Sequence, residues 1–400
     1  MSITQPPEGR PIHTTLTRRA SLRWLGGAAA AGLLPARLVL AAPAAAADPD
    51  GQRLVVVMLR GALDGLAAVP ASGDPDWASL RPPSADVPVA QPPALPLGGM
   101  FALHPSLVNL HRWYGQGQLL VLHATATSYR DRSHFDAQQL LESGGTQPFA
   151  LSTGWLGRAL QASGRSGISL TAAMPLALRG ADAASTWTPT RRGGNHDDLM
   201  ARVAQMYRDD AQLHKVFAQS MGQQDMAMEG GAGDSGFSAL ARQAGAFLSK
   251  AGGARVAWLE AGGWDTHTQQ AARLGRLLSG LDDGLAALRE SLGAHWARTT
   301  VLVMTEFGRS AAFNGSGGTD HGTGGVAFVA GGAVAGGRVL ADWPGLGRAQ
   351  LLDARDLRPT LDLRAVIAPV LQRQFGLSQT QLSSSVLPGA PAPVLELWRA

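Results

Sequence analysis

Five places in this chain set acidic, imidazole or hydroxyl side chains beside an apolar run. Asp64 follows the run at residues 53–60 (RLVVVMLR), and Ser133, His134 and Asp136 come after the run at 119–123. Asp265 and His267 follow 255–261 (RVAWLEA), and Glu306 and Arg309 follow 299–305 (TTVLVMT). Asp320 and His321 lie in the Gly-rich segment 314–325, just before an apolar run at 326–330. Carboxylates and imidazoles gathered from such positions suit a hard or borderline divalent cation: Zn, Mn, Mg or Ca. Two such ions about 3.5–4 Å apart would activate water or hold a phosphoryl group. Ser133, at a helix start, has the surroundings of a nucleophile.

Each position also has a purely structural reading. Asp64 precedes Gly65, as turn residues do. Ser133 with Asp136 is a normal helix-capping pattern. Asp265-Thr266-His267 can cap a helix, and Glu306 can pair with Arg309. The glycines around Asp320 and His321 point to close approach of the backbone to something. His104 and His123 are the only other histidines with a claim to a role.

For these side chains to meet, the apolar runs must be strands of one sheet. The run at 53–60 is too short for a helix and continuously apolar between its two arginines, so it predicts a strand buried on both faces. Residues 119–123, 255–261, 299–305, 326–330 and 338–341 are read as further strands. Helices are predicted over 104–114, from Ser133, up to Leu292 and over 361–375. Leu277, Leu278, Leu281, Leu285 and Leu288 have helical spacing. Residues 70–100 are Pro-rich and irregular. Residues 180–250 read as a polar helical insertion, with an exposed turn at 191–197. Strand–helix alternation predicts an α/β fold: a mostly parallel sheet with helices on both faces. Ligands of such sheets bind outside the carboxyl ends of the strands, where the polar clusters fall.

The chain has 400 residues, 45% of them hydrophobic and 16% charged, enough to bury a large core. It carries 34 basic and 30 acidic residues. Residues 1–47 hold five of the basic residues and one acid, leaving 29 of each in the remainder. There are only two lysines, Lys215 and Lys250. With no basic runs, a phosphate-tracking surface for nucleic acid is not expected. The absence of cysteine excludes disulfides and cysteine-ligated metals. No Gly-Lys-Ser/Thr phosphate loop, no Gly-x-Gly-x-x-Gly after the first strand and no Gly-x-Ser-x-Gly elbow is present.

Residues 17–23 (TRRASLR) resemble a twin-arginine export motif, with Arg18 and Arg19 as the pair and Ser21 where Phe is usual. A weakly apolar stretch and the small residues 41–47 follow. Residues 1–47 are read as a signal peptide and 48–400 as a single domain. The expected location is periplasmic or secreted, the expected partner is the twin-arginine export machinery, and no stable membrane span is expected after cleavage.

Eight segments in order (LVVVMLRGALDGL, ALHPSL, RSHFDAQ, TGWLGRAL, GGWDTH, VLVMTEFGR, GGTDHGTGG and GGRVLADWPGL) resemble the DUF1501 family of exported bacterial proteins. The likeness runs from Leu54 to Phe375. The family is uncharacterised and related in fold to the alkaline phosphatase and sulfatase superfamily. The resemblance implies an alkaline phosphatase-like core and a metal-dependent hydrolase of phosphate or sulfate esters, taking a small anionic ester and holding one or two divalent ions. It implies Asp64, Asp265, His267, Asp320 and His321 as metal ligands and Ser133 as the catalytic nucleophile; Glu306 is read as a further metal ligand, and His134 and Arg309 as further catalytic residues, from their places after the strands. Asp-x-His at Asp265 is a narrower spacing than in the superfamily. Glu306-Phe307 stands where an Asp-His pair is expected, with Asp320-His321 supplying ligands from the next loop. Two other readings remain open: a non-catalytic binding protein on this fold, and a phosphotransfer or isomerase variant.

Overall fold

The computed structural model describes residues 51–82, 93–189, 236–390 and 395–399. The signal-like residues 1–47 and the turn at 191–197 lie outside these. In chain order the strands are β1 (Arg53–Leu59), β2 (Leu95–Pro96), β3 (Ala102–Leu103), β4 (Leu119–Ala126), β5 (Gly167–Ser169), β6 (Ala184–Thr186), β7 (Val256–Ala261), β8 (Thr299–Thr305), β9 (Gly325–Ala330), β10 (Arg338–Leu340) and β11 (Leu361–Asp362). The helices that matter here are α1 (Gly65–Ala68), α2 (Trp77–Leu80), α3 (Val108–Gly115), α4 (His134–Ser143), α5 (Trp155–Ser163), α6 (Phe237–Ser249), α7 (Gln270–Leu292) and α8 (Leu363–Phe375).

Nine strands form one mixed, mostly parallel sheet in the order β10-β4-β9-β8-β1-β7-β5-β6, with β11 also paired to β4. β1 sits between β7 and β8, parallel to both. Alternate residues of β1 enter opposite cores. Leu54, Val56 and Met58 pack with α5 and α8; Val55, Val57 and Leu59 pack with α3, α6 and α7. A strand covered on both faces favours apolar side chains on both, which is why Leu54–Leu59 reads as an unbroken run. In α7, Leu274, Leu278, Leu281, Leu285, Leu288 and Leu292 recur at three- and four-residue intervals, and all are buried.

Several elements differ from expectation. β9 runs antiparallel between β8 and β4. β4 continues past its predicted end at His123, with a register irregularity there and Ala124 at φ +55°. The helix predicted over 104–114 begins at Val108. Pro105 lies in the rejected segment, and the Asp282 carboxylate accepts from the N–H groups of Asn109 and Leu110 at 2.8 and 2.9 Å. That cap arrives from 173 residues away, beyond the reach of local sequence. Of the predicted helix 361–375, the first two residues join β4 as β11, and Asp362 caps α8. Within the predicted insertion 180–250, residues 184–186 are a strand and 237–249 a helix; 190–235 lie outside the described residues.

Candidate metal centre

The carboxyl ends of β1, β7 and β8 open onto one region, to which the start of α4 and the loop before β9 add side chains. Beyond β7, the buried Trp264 indole N–H bonds the Ala261 carbonyl at 2.9 Å and pins the turn. Thr266 is buried, and its hydroxyl bonds Gln270 at 2.9 Å. The flanking Asp265 and His267 stay partly exposed and meet, Nε2 to Oδ1, at 2.9 Å. His134 is the first residue of α4. His321 comes from the loop before β9, which lies tight on the site's backbone. A Cβ on Gly318 would sit 2.3 Å from the His267 carbonyl carbon and oxygen, and one on Gly322 2.3 Å from those of Arg309. The close approach read from those glycines is therefore made to the site's own main chain.

Three imidazoles converge. His321 Nε2 lies 3.0 Å from His134 Nε2 and 3.1 Å from His267 Nε2. Asp265 completes the group, with Oδ1 3.1 Å from His321 Nε2 and Oδ2 3.5 Å from His134 Nε2. His134, Asp265 and His321 each offer a ligand atom within 4.8 Å of the others, and His267 adjoins them. The opposite ring nitrogens are all committed. His134 Nδ1 meets Glu306 Oε1 at 2.7 Å, His267 Nδ1 meets Asp320 Oδ1 at 3.2 Å, and His321 Nδ1 meets the Arg132 carbonyl at 3.0 Å.

A carbonyl or an ionised carboxylate only accepts, so each Nδ1 must carry the proton. In the neutral rings, the His321 Nε2 lone pair then faces those of His134 and His267, and the Asp265 carboxylate faces all three. This is repulsive unless a cation lies among them or one ring takes up a second proton, and a committed Nδ1–H is how metal-binding histidines are oriented. The ligand-to-ligand edge of a tetrahedral zinc site with bonds of about 2.0–2.1 Å is about 3.3 Å. Within the trio His134, Asp265 and His321 the separations, 3.0–3.5 Å, lie around that value, and His267 adjoins Asp265 and His321 at 2.9 and 3.1 Å. The donor set fits one divalent ion.

The surrounding charges shift these groups in different directions. Burial would raise the Glu306 carboxyl, but bonds from His134, Gln138 and the Gly61 N–H hold it below the usual range. Burial likewise opposes, and Arg309 outweighs, in keeping Asp265 low. The Asp320 carboxyl is lowered chiefly by its bond from Asn314. Burial would lower the His134 ring, yet Glu306 and Asp265 hold it above the ordinary histidine value. Burial and the neighbouring His134 push His321 down.

The expected site residues therefore fall into distinct places. His267, His321 and Asp265 face the centre together with His134. Glu306 and Asp320 stand behind His134 and His267 as acceptors. Arg309, with no exposed side-chain surface, bonds Asp265 Oδ1 from the interior. Asp64 lies apart from the ligand atoms. It caps α1, and Arg81 binds Oδ2 at 2.7 Å while Gln270 bonds the same oxygen at 2.6 Å. Ser133 Oγ caps α4 by accepting from the Asp136 N–H at 3.5 Å, and Asp136 Oδ2 accepts from Tyr129. His123 is wholly buried, between Phe101 and Trp343.

Sequence reasoning missed Gln138, Gln270, Thr319 and Asn314. Gln138 had a signal. It lies four residues after His134, on the same helix face, and both bond Glu306 Oε1. Arg60 extends this line, bonding Gln138 at 2.7 Å and pairing with Glu260 and Glu142.

A family profile described as protein of unknown function (DUF1501) matches residues 51–388. No curated protein matches the chain. Among solved structures, murine ectonucleotide pyrophosphatase/phosphodiesterase 5 is similar at 11% identity and TM-score 0.31 over 64% of this chain; the chain spans 57% of that protein's length. Alkaline phosphatase from the Antarctic bacterium TAB5 is similar at 12% identity and TM-score 0.36, over 70% of this chain and 92% of that one. The C-terminal periplasmic domain of EptC from Escherichia coli, in complex with Zn, is similar at 9% identity and TM-score 0.33, over 70% and 73%.

Proposed function

The chain belongs to the DUF1501 family, and from that premise we propose that it is a metal-dependent hydrolase of phosphate or sulfate esters. The observation that carries the reading is the facing of three Nε2 lone pairs and the Asp265 carboxylate, with every Nδ1 already committed. His134, His267, His321 and Asp265 would hold the ion. When bound there, a divalent cation supplies Lewis-acid polarisation of an ester oxygen and lowers the pKa of water.

The protein's own groups do the rest. Glu306 and Asp320 orient two of the rings and raise their basicity as ligands. Arg309 fixes Asp265 from behind. Asp265, His267 and Asp320 have 42%, 41% and 51% of their side-chain surface exposed, and make the side from which an ester enters. Asp320 stays ionised near neutrality, so it accepts the hydrogen bond of the His267 Nδ1–H and has no proton to donate. Ser133 serves as the cap of α4 in this reading, and water is the nucleophile. Export by the twin-arginine route to the periplasm or beyond belongs to the same proposal, resting on residues 17–47.

The test is metal content and hydrolysis of purified protein. Wild type is expected to carry one equivalent of Zn or Mn and to release phosphate from 4-nitrophenyl phosphate or sulfate from its sulfate analogue. His321→Ala and Asp265→Ala should weaken metal binding by more than about 100-fold. Metal-free wild-type protein, insensitive to both substitutions, would favour a binding role instead. Bound metal without released phosphate or sulfate would favour transfer.

A further inference from the structure

A line of buried polar side chains runs behind the centre, from Asp64 to Asp265. Asp64, Gln270, Thr266, Thr319 and Arg309 are each at most 2% exposed. The Gln270 amide nitrogen donates to Asp64 Oδ2 at 2.6 Å, so its oxygen must face the other way. There it accepts from the hydroxyls of Thr319 at 2.6 Å and Thr266 at 2.9 Å. Thr319 has then used its one proton, and its lone pairs accept from Arg309 Nε at 3.2 Å. Arg309 only donates, so every bond in the line has a single direction. The guanidinium is gripped further by the Thr319 carbonyl, and it lays Nη1 on Asp265 Oδ1.

We propose that Asp64, Gln270 and Thr319 are positioning residues that aim Arg309, which in turn locks the Asp265 carboxylate in the rotation facing the three imidazoles. Asp64 thus acts on the cation at a distance, as the fixed charge at the far end of the line. Arg81 anchors that end, donating to both Asp64 oxygens and to the Ser310 carbonyl. The inference rests on the metal-centre reading and adds what sets its affinity.

Thr319 offers a clean test, because its hydroxyl and its shape can be removed separately. Thr319→Val keeps the shape and loses the hydroxyl; Thr319→Ser does the reverse. Zinc affinity is measured on the full chain by competition with a chromophoric chelator, with circular dichroism and thermal melting as checks on folding. Thr319→Val is expected to bind zinc about 10- to 100-fold more weakly, and Thr319→Ser within about threefold of wild type. A packing role predicts the opposite order. Should Thr319→Val fail to fold, Arg309→Lys serves. Lysine keeps the charge but cannot grip the Thr319 hydroxyl, the Thr319 carbonyl and Asp265 together, so it too should weaken binding. Wild-type-like affinity in Thr319→Val, or in Arg309→Lys where that variant stands in, overturns the proposal, as does equal weakness in Thr319→Ser and Thr319→Val. Wild-type protein that binds no zinc removes the metal-centre reading and this proposal with it. Zinc-binding wild type with an unchanged variant removes this proposal alone.

Discussion

At the scale of single residues, what a side chain does is decided by what its second polar atom touches. His123 and His134 make the contrast. His123 is sealed in the core; its Nε2–H donates to the Val69 carbonyl at 3.0 Å and its Nδ1 accepts the Ala124 N–H at 2.8 Å. Burial lowers it to about 4, so it folds neutral. The unfolded chain takes up a proton near pH 6.5 and the folded chain only near 4. Stability is therefore full above about pH 6.5 and falls as pH drops through that window, by about 3 kcal/mol. Urea unfolding at pH 7 and pH 4 should show this extra loss in wild type and not in His123→Gln. Ser133 permits a second test at this scale. As a helix cap, Ser133→Ala should cost about 1 kcal/mol in urea unfolding and leave metal affinity and hydrolysis within a few-fold. Abolished turnover with metal still bound would make it the nucleophile.

At the scale of elements, the loop before β9 does most to assemble the centre. Gly318 packs its Cα against the His267 main chain, whereas a Cβ on Gly315 would meet nothing within 4 Å. Gly318→Ala should therefore destabilise by about 1–3 kcal/mol and weaken metal binding at least tenfold, while Gly315→Ala stays within about 0.5 kcal/mol of wild type. Thermal melting and chelator competition read both. The strands that carry the site were legible for a physical reason: β1 and β8 are buried at every position, and each has an unbroken apolar stretch, Leu54–Leu59 and Val301–Met304. The leucine stripe of α7 was legible by its period. Strands β5 (Gly-Ile-Ser) and β6 (Ala-Ser-Thr) were not, since each spans three residues with at most one large apolar side chain, unlike the Arg-Val-Leu of β10. The polar clusters were found because four follow apolar runs and the fifth, Asp320-His321, precedes one in a Gly-rich loop. Ligands could not be told from orienting groups, since that depends on the partner of each Nδ1, up to 189 residues away in the case of His321 and Arg132. Arg81, which engages Asp64, lies in a Pro-rich stretch without periodicity and gave no local signal.

At the scale of the whole molecule, one sheet brings together groups spread from His134 to His321, and it closes around them without disulfides. On the proposed reading, metal binding is part of the folding equilibrium, because the ion binds the assembled site and not the unfolded chain. Zinc at a hundred times its Kd should add about 2.7 kcal/mol to stability and raise Tm, and a chelator should reverse this. Among the described residues no helix is long and apolar enough to cross a membrane. The most direct measurement is anomalous scattering at the zinc edge from crystals of the full chain grown with zinc. The account predicts one strong peak enclosed by His134, His267, His321 and the Asp265 carboxylate. A map with no peak there, and four side chains held as they are without an ion, would contradict it.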